Sequence, residues 1–462
     1  MLKKKILLTS VLMVSFIGFN AQAKVSQKEA DQLGKDLTPF GAIVKGNKEG
    51  TIPDWDGGLD SNKAPASYKR PGQHHPDPFP DDKVLFTIDA QNASKYKKKL
   101  TPGLEALLKT YPTTFKLPVY QSRRTHTAPD WVIENTKKNA TTGSLVKGGN
   151  GIDHAYGGVP FPILSGDKQE KALQAIWNHL TRWRGVFVTR RSSEVAVQRN
   201  GDYTLVSSQQ EVFWNFFNPE GSEKDLENIL FYYLSFTKAP ARLAGGAILV
   251  HETINQVAEP RNSWGYNKGQ RRVRRAPNLA YDSPIAASDN LRTADDTDMF
   301  NGAPDRYTWE YKGLKEIYIP YNNYKISQPD VKYADVLGVS HIAPQFTRWE
   351  LHRVHVVEAN LKGTERHIYS KRVFYIDEDS WNIALVDQYD ARGELWRVSM
   401  AMLKNFYELP GVWTALDVFY DLQARRYHVQ GLDSEERDTR VFETKVPNSR
   451  YFKPRELRRR GR

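Results

Sequence analysis

Apolar residues alternate with polar ones along much of the second half of the chain, which is typical of β-strands. The clearest case lies between residues 381 and 402, where two alternating runs flank a turn at 390–393. Further segments rich in β-branched and aromatic residues are 186–189, 203–207, 247–257, 317–319, 349–358 and 366–376. Because turn-length links join successive strands, the sequence predicts a large antiparallel sheet.

Two segments carry apolar residues at helical spacing instead. Asp167 and Glu170 form a capping box before the first stripe, which predicts a helix that ends before Gly185. Ser222 precedes the second stripe and Pro240 closes it. That stripe consists of Leu226, Ile229, Leu230, Tyr233 and Leu234. Each segment has one apolar face, so we predict two helices lying on the sheet.

Residues 24–165 have an irregular pattern interrupted by short helices. One helix is predicted after the capping box of Ser26, and another after Thr101 and Pro102. We interpret this segment as an arm wrapped over the rest of the protein. A disordered tail is the alternative, but the aromatic content argues against it. The domain proper is assigned to 166–454, and 455–462 is interpreted as a disordered basic tail.

The first 23 residues have the pattern of a secretion signal. Lysines at 3–5 precede a mostly apolar run of about a dozen residues, and Ala21 and Ala23 give the small-x-small cleavage pattern. A membrane-spanning helix needs ~20 apolar residues, so an uncleaved anchor is disfavoured. The sequence therefore predicts a periplasmic protein with a cleaved signal peptide, and leaves open a peripheral association with the outer membrane.

The chain contains no cysteine, so neither a disulfide nor a lipoprotein anchor is available. Its net charge of +12 either favours anionic partners, such as an anionic membrane surface, or only aids solubility. The strongest basic cluster consists of Arg271, Arg272, Arg274 and Arg275. We predict that it docks on an anion or a partner, with a solvated strand edge as the alternative. Export makes nucleic acid an unexpected partner.

Motifs for catalysis are missing from the sequence. There is no cysteine nucleophile, no Gly-x-Ser-x-Gly elbow and no phosphate-binding loop. Glu252, Glu310, Glu350 and Glu358 lie in strand-like runs, and a pair of them would suit glycoside hydrolysis. We favour glutamates on exposed strand faces, and we predict no enzyme activity, no catalytic residue and no cofactor.

Three patterns are candidates for metal sites, and none is favoured. His74 and His75 lie in a proline-rich loop, where such pairs usually face water. His352 and His355 are three apart on a strand, so they point to opposite faces and cannot share one ion. The acidic run at 377–379 resembles a calcium loop, but Asn382 stands where that loop requires glycine. A hairpin turn is predicted there, and no metal site.

Five stretches together resemble one protein family. They are LTPFGA with GTIPDW (37–42 and 50–55), GVPFPI (158–163), GQRRVRRAP (269–277), HRV with VEA (352–359) and RVFYIDEDSW (372–381). The combination is similar to the domain of unknown function 1329 (DUF1329) family of Gram-negative envelope proteins. Asp54 and Asp56 depart from the less polar surroundings expected for the tryptophan at this place.

The resemblance implies a mainly β (α+β) fold similar to the LolA and LolB lipoprotein carriers. In that fold a large curved antiparallel sheet forms an open half-barrel, with helices packed on its concave face. The resemblance also implies association with an outer-membrane protein and an RND-type exporter that handle apolar cargo. It supplies no established catalytic residues.

The leading hypothesis is a periplasmic carrier or chaperone for a lipid, an acyl chain or another apolar small molecule. An apolar trough costs ~25 cal/mol per Å² exposed to water, and a bound chain would offset that cost. The residues predicted to line the trough are Phe374, Ile376, Trp381, Ile383, Leu385, Trp396, Val398 and Met400. Ordinary core packing is the alternative for each. The competing hypotheses are a non-enzymatic adaptor for an outer-membrane protein and an envelope glycan or lipid hydrolase.

Overall fold

The computed structural model of the protein describes residues 25–276, 281–448 and 450–460. The predicted signal peptide, 1–23, lies outside these residues. The α-helices of the described residues are α1 (Gln27–Ala30), α2 (Pro102–Thr110), α3 (Asp130–Thr142), α4 (Lys168–Leu180), α5 (Tyr333–Val336) and α6 (Pro454–Arg460).

Strands dominate the rest of the described chain. In chain order they are β1 (Phe86–Ile88), β2 (Leu117–Val119), β3 (Ser144–Leu145), β4 (Ile152–Asp153), β5 (Phe187–Val197), β6 (Val206–Phe213), β7 (Ile229–Ala239), β8 (Ala247–Thr253), β9 (Asn262–Asn267), β10 (Arg272–Arg275), β11 (Tyr307–Pro320), β12 (Trp349–Leu361), β13 (Lys371–Asp377), β14 (Ile383–Tyr389), β15 (Leu395–Phe406), β16 (Gly411–Asp421), β17 (Arg426–Leu432) and β18 (Arg440–Glu443).

One 16-stranded sheet contains all of these strands except the separate hairpin β3–β4. Its main path runs β1-β2-β12-β13-β14-β15-β16-β17-β5-β6-β7-β8-β9-β10, with β11 paired to β12 and β18 to β5. The pairs are antiparallel apart from one parallel contact between Val119 and Trp349. Within the described residues the path does not close on itself. The mainly β class with a large, open, antiparallel sheet is confirmed.

Local capping signals set the starts of three helices, as predicted. Ser26 and Asp167 each close a capping box, at α1 and α4 respectively. Thr101 caps α2, with Pro102 in the first turn. The apolar stripe of α4 is buried, and the helix packs on β11 and β12.

The second predicted helix is wrong, because four of the five residues of its apolar stripe belong to β7. This strand pairs along its length with β6 and β8. Its apolar residues match a helical spacing because both of its faces carry aromatic or aliphatic side chains. The β-branched and aromatic content of 229–237 favours the extended backbone that the sheet then stabilises. Ser222 caps only a short 3₁₀ turn, Glu223–Asp225.

The basic tail is also corrected, because its described part is helical rather than disordered. In α6 the side chain of Leu457 is buried. Arg460 donates hydrogen bonds to both carboxylate oxygens of Glu211, at 2.6 and 2.8 Å. The helix packs on β8, β9 and β10. It therefore covers one face of the sheet near the β10 edge.

The N-terminal arm extends and covers the sheet. β1 and β2 add two short strands beside β12, and α2 packs on β14 and β15. One hydrophobic core includes residues on both sides of the proposed boundary at 165, from Phe40 to Leu457. No α-helix of the described residues combines the length and apolar character needed to cross a bilayer.

Candidate functional site

The eight predicted lining residues lie on β13, β14, β15 and the turn between β13 and β14. Seven of them are buried, and Trp396 is half-buried. Their side chains are distributed over both faces of the sheet, so they cannot form the wall of a single trough. Their contact with a ligand stays a prediction.

A β-bulge divides the set between the two faces. The register shifts so that Tyr375 pairs with Leu385 while the next residue, Ile376, pairs with Ile383. Adjacent residues of a strand point to opposite faces. Ile383 and Leu385 therefore also point to opposite faces, although the alternating pattern of 381–389 places them on the same face. Counting alternate residues along the sequence cannot detect Ala384, the extra residue of the bulge.

On one face the chain's own aromatic residues cover the predicted lining. The ring of Phe374 lies 5.5 Å from that of Phe300 and 5.8 Å from that of Trp309. Trp381 stacks on His355 at 4.6 Å. A ligand would reach this face only if the segment carrying Phe300 and Trp309 moved away.

On the other face, α2 lies directly against β14 and β15. The carboxylate of Asp387 accepts hydrogen bonds from the backbone N–H of Gly103 (3.1 Å) and the hydroxyl of Tyr375 (3.1 Å). A β-carbon added at Gly103 would lie 2.9 Å from a methyl group of Val398. Burial raises the pKa of Asp387 to about 7. The glycine therefore permits an approach that leaves no room for a ligand between helix and sheet.

Three of the stretches that carry the family resemblance meet at the turn after β13. Arg124 of the arm donates two hydrogen bonds to Asp379, at 2.7 and 2.9 Å. Arg353 donates a hydrogen bond to the carboxylate of Glu378, also in this turn, at 2.5 Å. The indole N–H of Trp381 donates to the backbone carbonyl of Phe40 at 3.0 Å. These contacts tie the arm to the sheet, and we call residues 377–382 the anchor turn.

The carboxylates of the anchor turn are electrostatically coupled. Burial raises the pKa of Asp377 to about 6 and that of Glu378 to about 7, and the charge of Asp379 adds to both shifts. Burial acts on Asp379 in the same direction, but Arg124 holds its pKa below the usual value. Burial and the charge of Asp379 therefore both favour the protonated forms of Asp377 and Glu378.

The histidines singled out in the sequence are all engaged by the fold. Both ring nitrogens of His74 lie 2.8 Å from backbone carbonyl oxygens. His75 is buried, with its ring 2.9 Å from Glu408. The expectation that this pair faces water is wrong. His352 and His355 do point to opposite faces of β12, as predicted.

The four glutamates weighed as acid–base candidates each have a cationic neighbour. Glu252 and Glu350 are buried, which corrects the expectation of exposed strand faces, and each faces an arginine, at 3.2 and 2.5 Å. Glu310 and Glu358 both approach Lys312, at 2.6 and 3.6 Å. This set gives no pair of carboxylates free to act on a glycosidic bond.

Within the described residues, the predicted docking arginines lie at one edge of the sheet. β10 is the last strand of the main path, and Arg271, Arg272, Arg274 and Arg275 are all exposed. Arg275 donates a hydrogen bond to Asn262 across the hairpin. An arginine-rich edge suits an anionic surface and also discourages edge-to-edge pairing, so both interpretations stay open.

A surface groove of about 630 Å³ opens between the segments 113–118 and 338–345. The apolar residues of its wall are Pro118, Val339, Ala343 and Pro344, and threonines such as Thr87 contribute methyl groups beside polar side chains. Val339 is 57% exposed, and Leu85, two residues before Thr87, is 63% exposed. Sequence reasoning missed this groove because irregular segments far apart in the chain form it. Its only local signal was a valine within a turn of small and polar residues.

The structure is that of a mainly β protein, with helices packed on a single large, open, antiparallel sheet. The chain belongs to the family described as "Protein of unknown function (DUF1329)", whose model matches residues 87–458. The first stretches of the resemblance, at 37–55, precede the matched residues.

Similar proteins were found by sequence and by structure. The chain is 47% identical to "Uncharacterized protein PA3922" of Pseudomonas aeruginosa, over 99% of both chains. A DUF1329 family protein from Desulfovibrio piger is similar in structure, with a TM-score of 0.44, 13% identity, and coverage of 63% of this chain and 100% of that one. A putative outer membrane lipoprotein-sorting protein domain from Vibrio parahaemolyticus has a TM-score of 0.43, 14% identity, and coverage of 63% and 99%.

Proposed function

We propose that the protein is a periplasmic carrier or chaperone that holds the apolar chain of a lipid in the groove between 113–118 and 338–345. The observation that carries the proposal is the groove itself, with exposed Val339 in its wall and exposed Leu85 nearby. The predicted signal peptide supports the periplasmic location, and the chain belongs to a family that we associate with the cell envelope.

An acyl chain suits this groove better than a polar ligand. Apolar surface costs ~25 cal/mol per Å² when exposed to water, and each buried methylene contributes about 0.8 kcal/mol. The groove volume, about 630 Å³, lies within the range of roughly 300–1,000 Å³ that holds small ligands. Lys116 is the charged residue among those that line it, and it favours an acidic head group.

The eight predicted lining residues have a different role in this proposal. They contact a ligand only in an open state, in which α2 or the segment carrying Phe300 has moved away from the sheet. Such a state would let a chain pass from the surface groove to the sheet. The closed state described above would then be the resting form of an empty carrier.

The groove is tested by a fluorescent fatty acid whose emission rises on binding. We expect saturable binding to the wild type, and at least a tenfold weaker affinity for Val339→Asp, because a carboxylate would be desolvated by the chain. Val257→Asp is the matched control, since Val257 is 49% exposed outside the groove. Equal affinity of the two variants, or no binding to the wild type, would reject the proposal.

Partner docking is proposed for the arginine edge of β10. Its partners would be an anionic membrane surface, and an outer-membrane protein with its RND-type exporter. Replacement of Arg271, Arg272, Arg274 and Arg275 by glutamine should abolish sedimentation with phosphatidylglycerol vesicles, because each basic residue near such a surface contributes about 1 kcal/mol. Phosphatidylcholine vesicles should sediment neither form. Undiminished binding of the substituted protein would show that the edge is not the docking site.

The same edge favours a second candidate function, that of a non-enzymatic adaptor. β10 is the last strand of the main path among the described residues, and another chain could add a strand to such an edge. A stable complex with an outer-membrane protein, formed without bound lipid and unaffected by Val339→Asp, would favour the adaptor over the carrier. We assign no catalytic role to any residue.

A further inference from the structure

Three potential metal ligands converge beside the anchor turn, away from the groove. They are His352 of β12, Asp377 at the end of β13 and Asp379 in the turn, and all three are buried. One nitrogen or oxygen of each lies within 4.8 Å of the others. The residues come from β12 and from the end of β13 with its following turn, so spacing along the sequence could not reveal them.

Asp377 gives an independent indication of a ligand. Its Oδ2 accepts hydrogen bonds from the backbone N–H (3.1 Å) and hydroxyl (2.5 Å) of Ser380. Its Oδ1 is buried without a hydrogen-bond partner, and lies 3.8 Å from Nδ1 of His352. That distance is too long for a hydrogen bond. It does suit two ligands of one zinc ion, each about 2.0–2.2 Å from the metal.

The surrounding groups orient the ligands. Nε2 of His352 lies 3.0 Å from a carboxylate oxygen of Glu350, so Nδ1 is the nitrogen turned toward Asp377. A carboxylate behind the histidine is typical of metal-binding imidazoles, because it fixes the orientation of the ring. Arg124 holds Asp379 by two hydrogen bonds, and lone pairs on its oxygens remain for an ion.

The charges around the anchor turn also leave room for a cation. Asp379, Glu378 and Glu350 each have an arginine within 2.7 Å. Among the described residues, Asp377 has only His352 as a cationic neighbour within 4.0 Å. A buried carboxylate with no compensating charge is unfavourable.

We propose that His352, Asp377 and Asp379 bind one divalent transition-metal ion of the zinc class. One nitrogen and two carboxylate oxygens favour Zn²⁺, whereas Ca²⁺ prefers sets made only of oxygens. The bound ion fastens the anchor turn to β12. Because Arg124 links that turn to the arm, the ion also stabilises the closed arrangement of arm and sheet.

In the test, the full chain is refolded from urea in the presence of Zn²⁺, because the site is buried. The number of zinc ions retained per chain is then measured after dialysis. Exposed Asp153 and His154 form a second cluster with half-buried Glu223 that could also bind the ion, so every protein carries His154→Ala. We expect one zinc per chain, and a loss of at least about tenfold in affinity for Asp377→Asn and His352→Gln. Asp387→Asn is the control, since it alters a buried carboxyl group elsewhere on the sheet.

Retention of no zinc by the His154→Ala protein would overturn the proposal, as would equal retention by Asp377→Asn. If the Asp377 or His352 variants fail to fold, the Co²⁺ spectrum of the His154→Ala protein decides. Intense ligand-field bands of a four-coordinate ion support the site, and the weak spectrum of hydrated Co²⁺ contradicts it.

Discussion

Asp387 shows how one buried carboxyl group couples the arm to the sheet. Its carboxylate accepts hydrogen bonds from the start of α2, and no cation lies within ion-pair distance of it among the described residues. Burial therefore dominates and raises its pKa from 3.8 to about 7. The folded state holds this proton more tightly than the unfolded chain, so the protonated group stabilises the fold at acidic pH.

The sign of the pH effect follows from this raised pKa. The stabilisation is fully present below about pH 4 and is lost as the pH rises through about 7. We expect the free energy of unfolding of the wild type to fall between pH 5 and 8 by about 1 to 4 kcal/mol more than that of Asp387→Asn, since one pKa unit corresponds to ~1.4 kcal/mol. Urea unfolding at both pH values measures this. Parallel pH profiles for the two proteins would contradict the assignment.

At the scale of elements, the close packing of α2 on the sheet depends on Gly103, which has no side chain. A β-carbon there would lie 2.2 Å from an oxygen of Asp387 and 2.9 Å from a methyl group of Val398. Alanine normally stabilises a helix interior by about 1 kcal/mol relative to glycine. Here the added methyl group would force the helix away from β14 and β15. We expect the lost contacts to cost more free energy than the higher helix propensity of alanine contributes.

We therefore expect Gly103→Ala to destabilise the protein by about 1 to 3 kcal/mol, in the range typical of overpacked cores. The matched control is Lys109→Ala on the exposed side of the same helix, which should change stability by less than about 0.5 kcal/mol. Thermal or urea unfolding provides the measurement. A Gly103→Ala protein more stable than the wild type would show that α2 does not pack as described.

The elements also show where sequence reasoning succeeds. Capping residues act locally, so Ser26, Thr101 and Asp167 predict the starts of their helices. β7 was misread because a strand that is apolar on both faces also satisfies a helical spacing, and only pairing with β6 and β8 decides between them. The bulge at Ala384 is equally invisible, since a single inserted residue reverses the faces beyond it.

At the scale of the whole molecule, the family resemblance and the strand pattern were sufficient for the fold class. They could not locate the groove, because its walls are segments more than 200 residues apart that the arm brings together. The sequence pattern also could not predict the contacts of the anchor turn, because Arg124 and Phe40 reach it from the arm. Sites assembled by such wrapping depend on tertiary contacts that no local pattern records.

The central claim is that this molecule accommodates a hydrocarbon chain in its surface groove. Native mass spectrometry of the protein incubated with a long-chain fatty acid tests it most directly. We expect one bound fatty acid on the wild type, and none on Thr113→Trp, whose indole fills the groove from an exposed position. A wild type without bound fatty acid, or a Thr113→Trp protein that binds equally well, would contradict the claim.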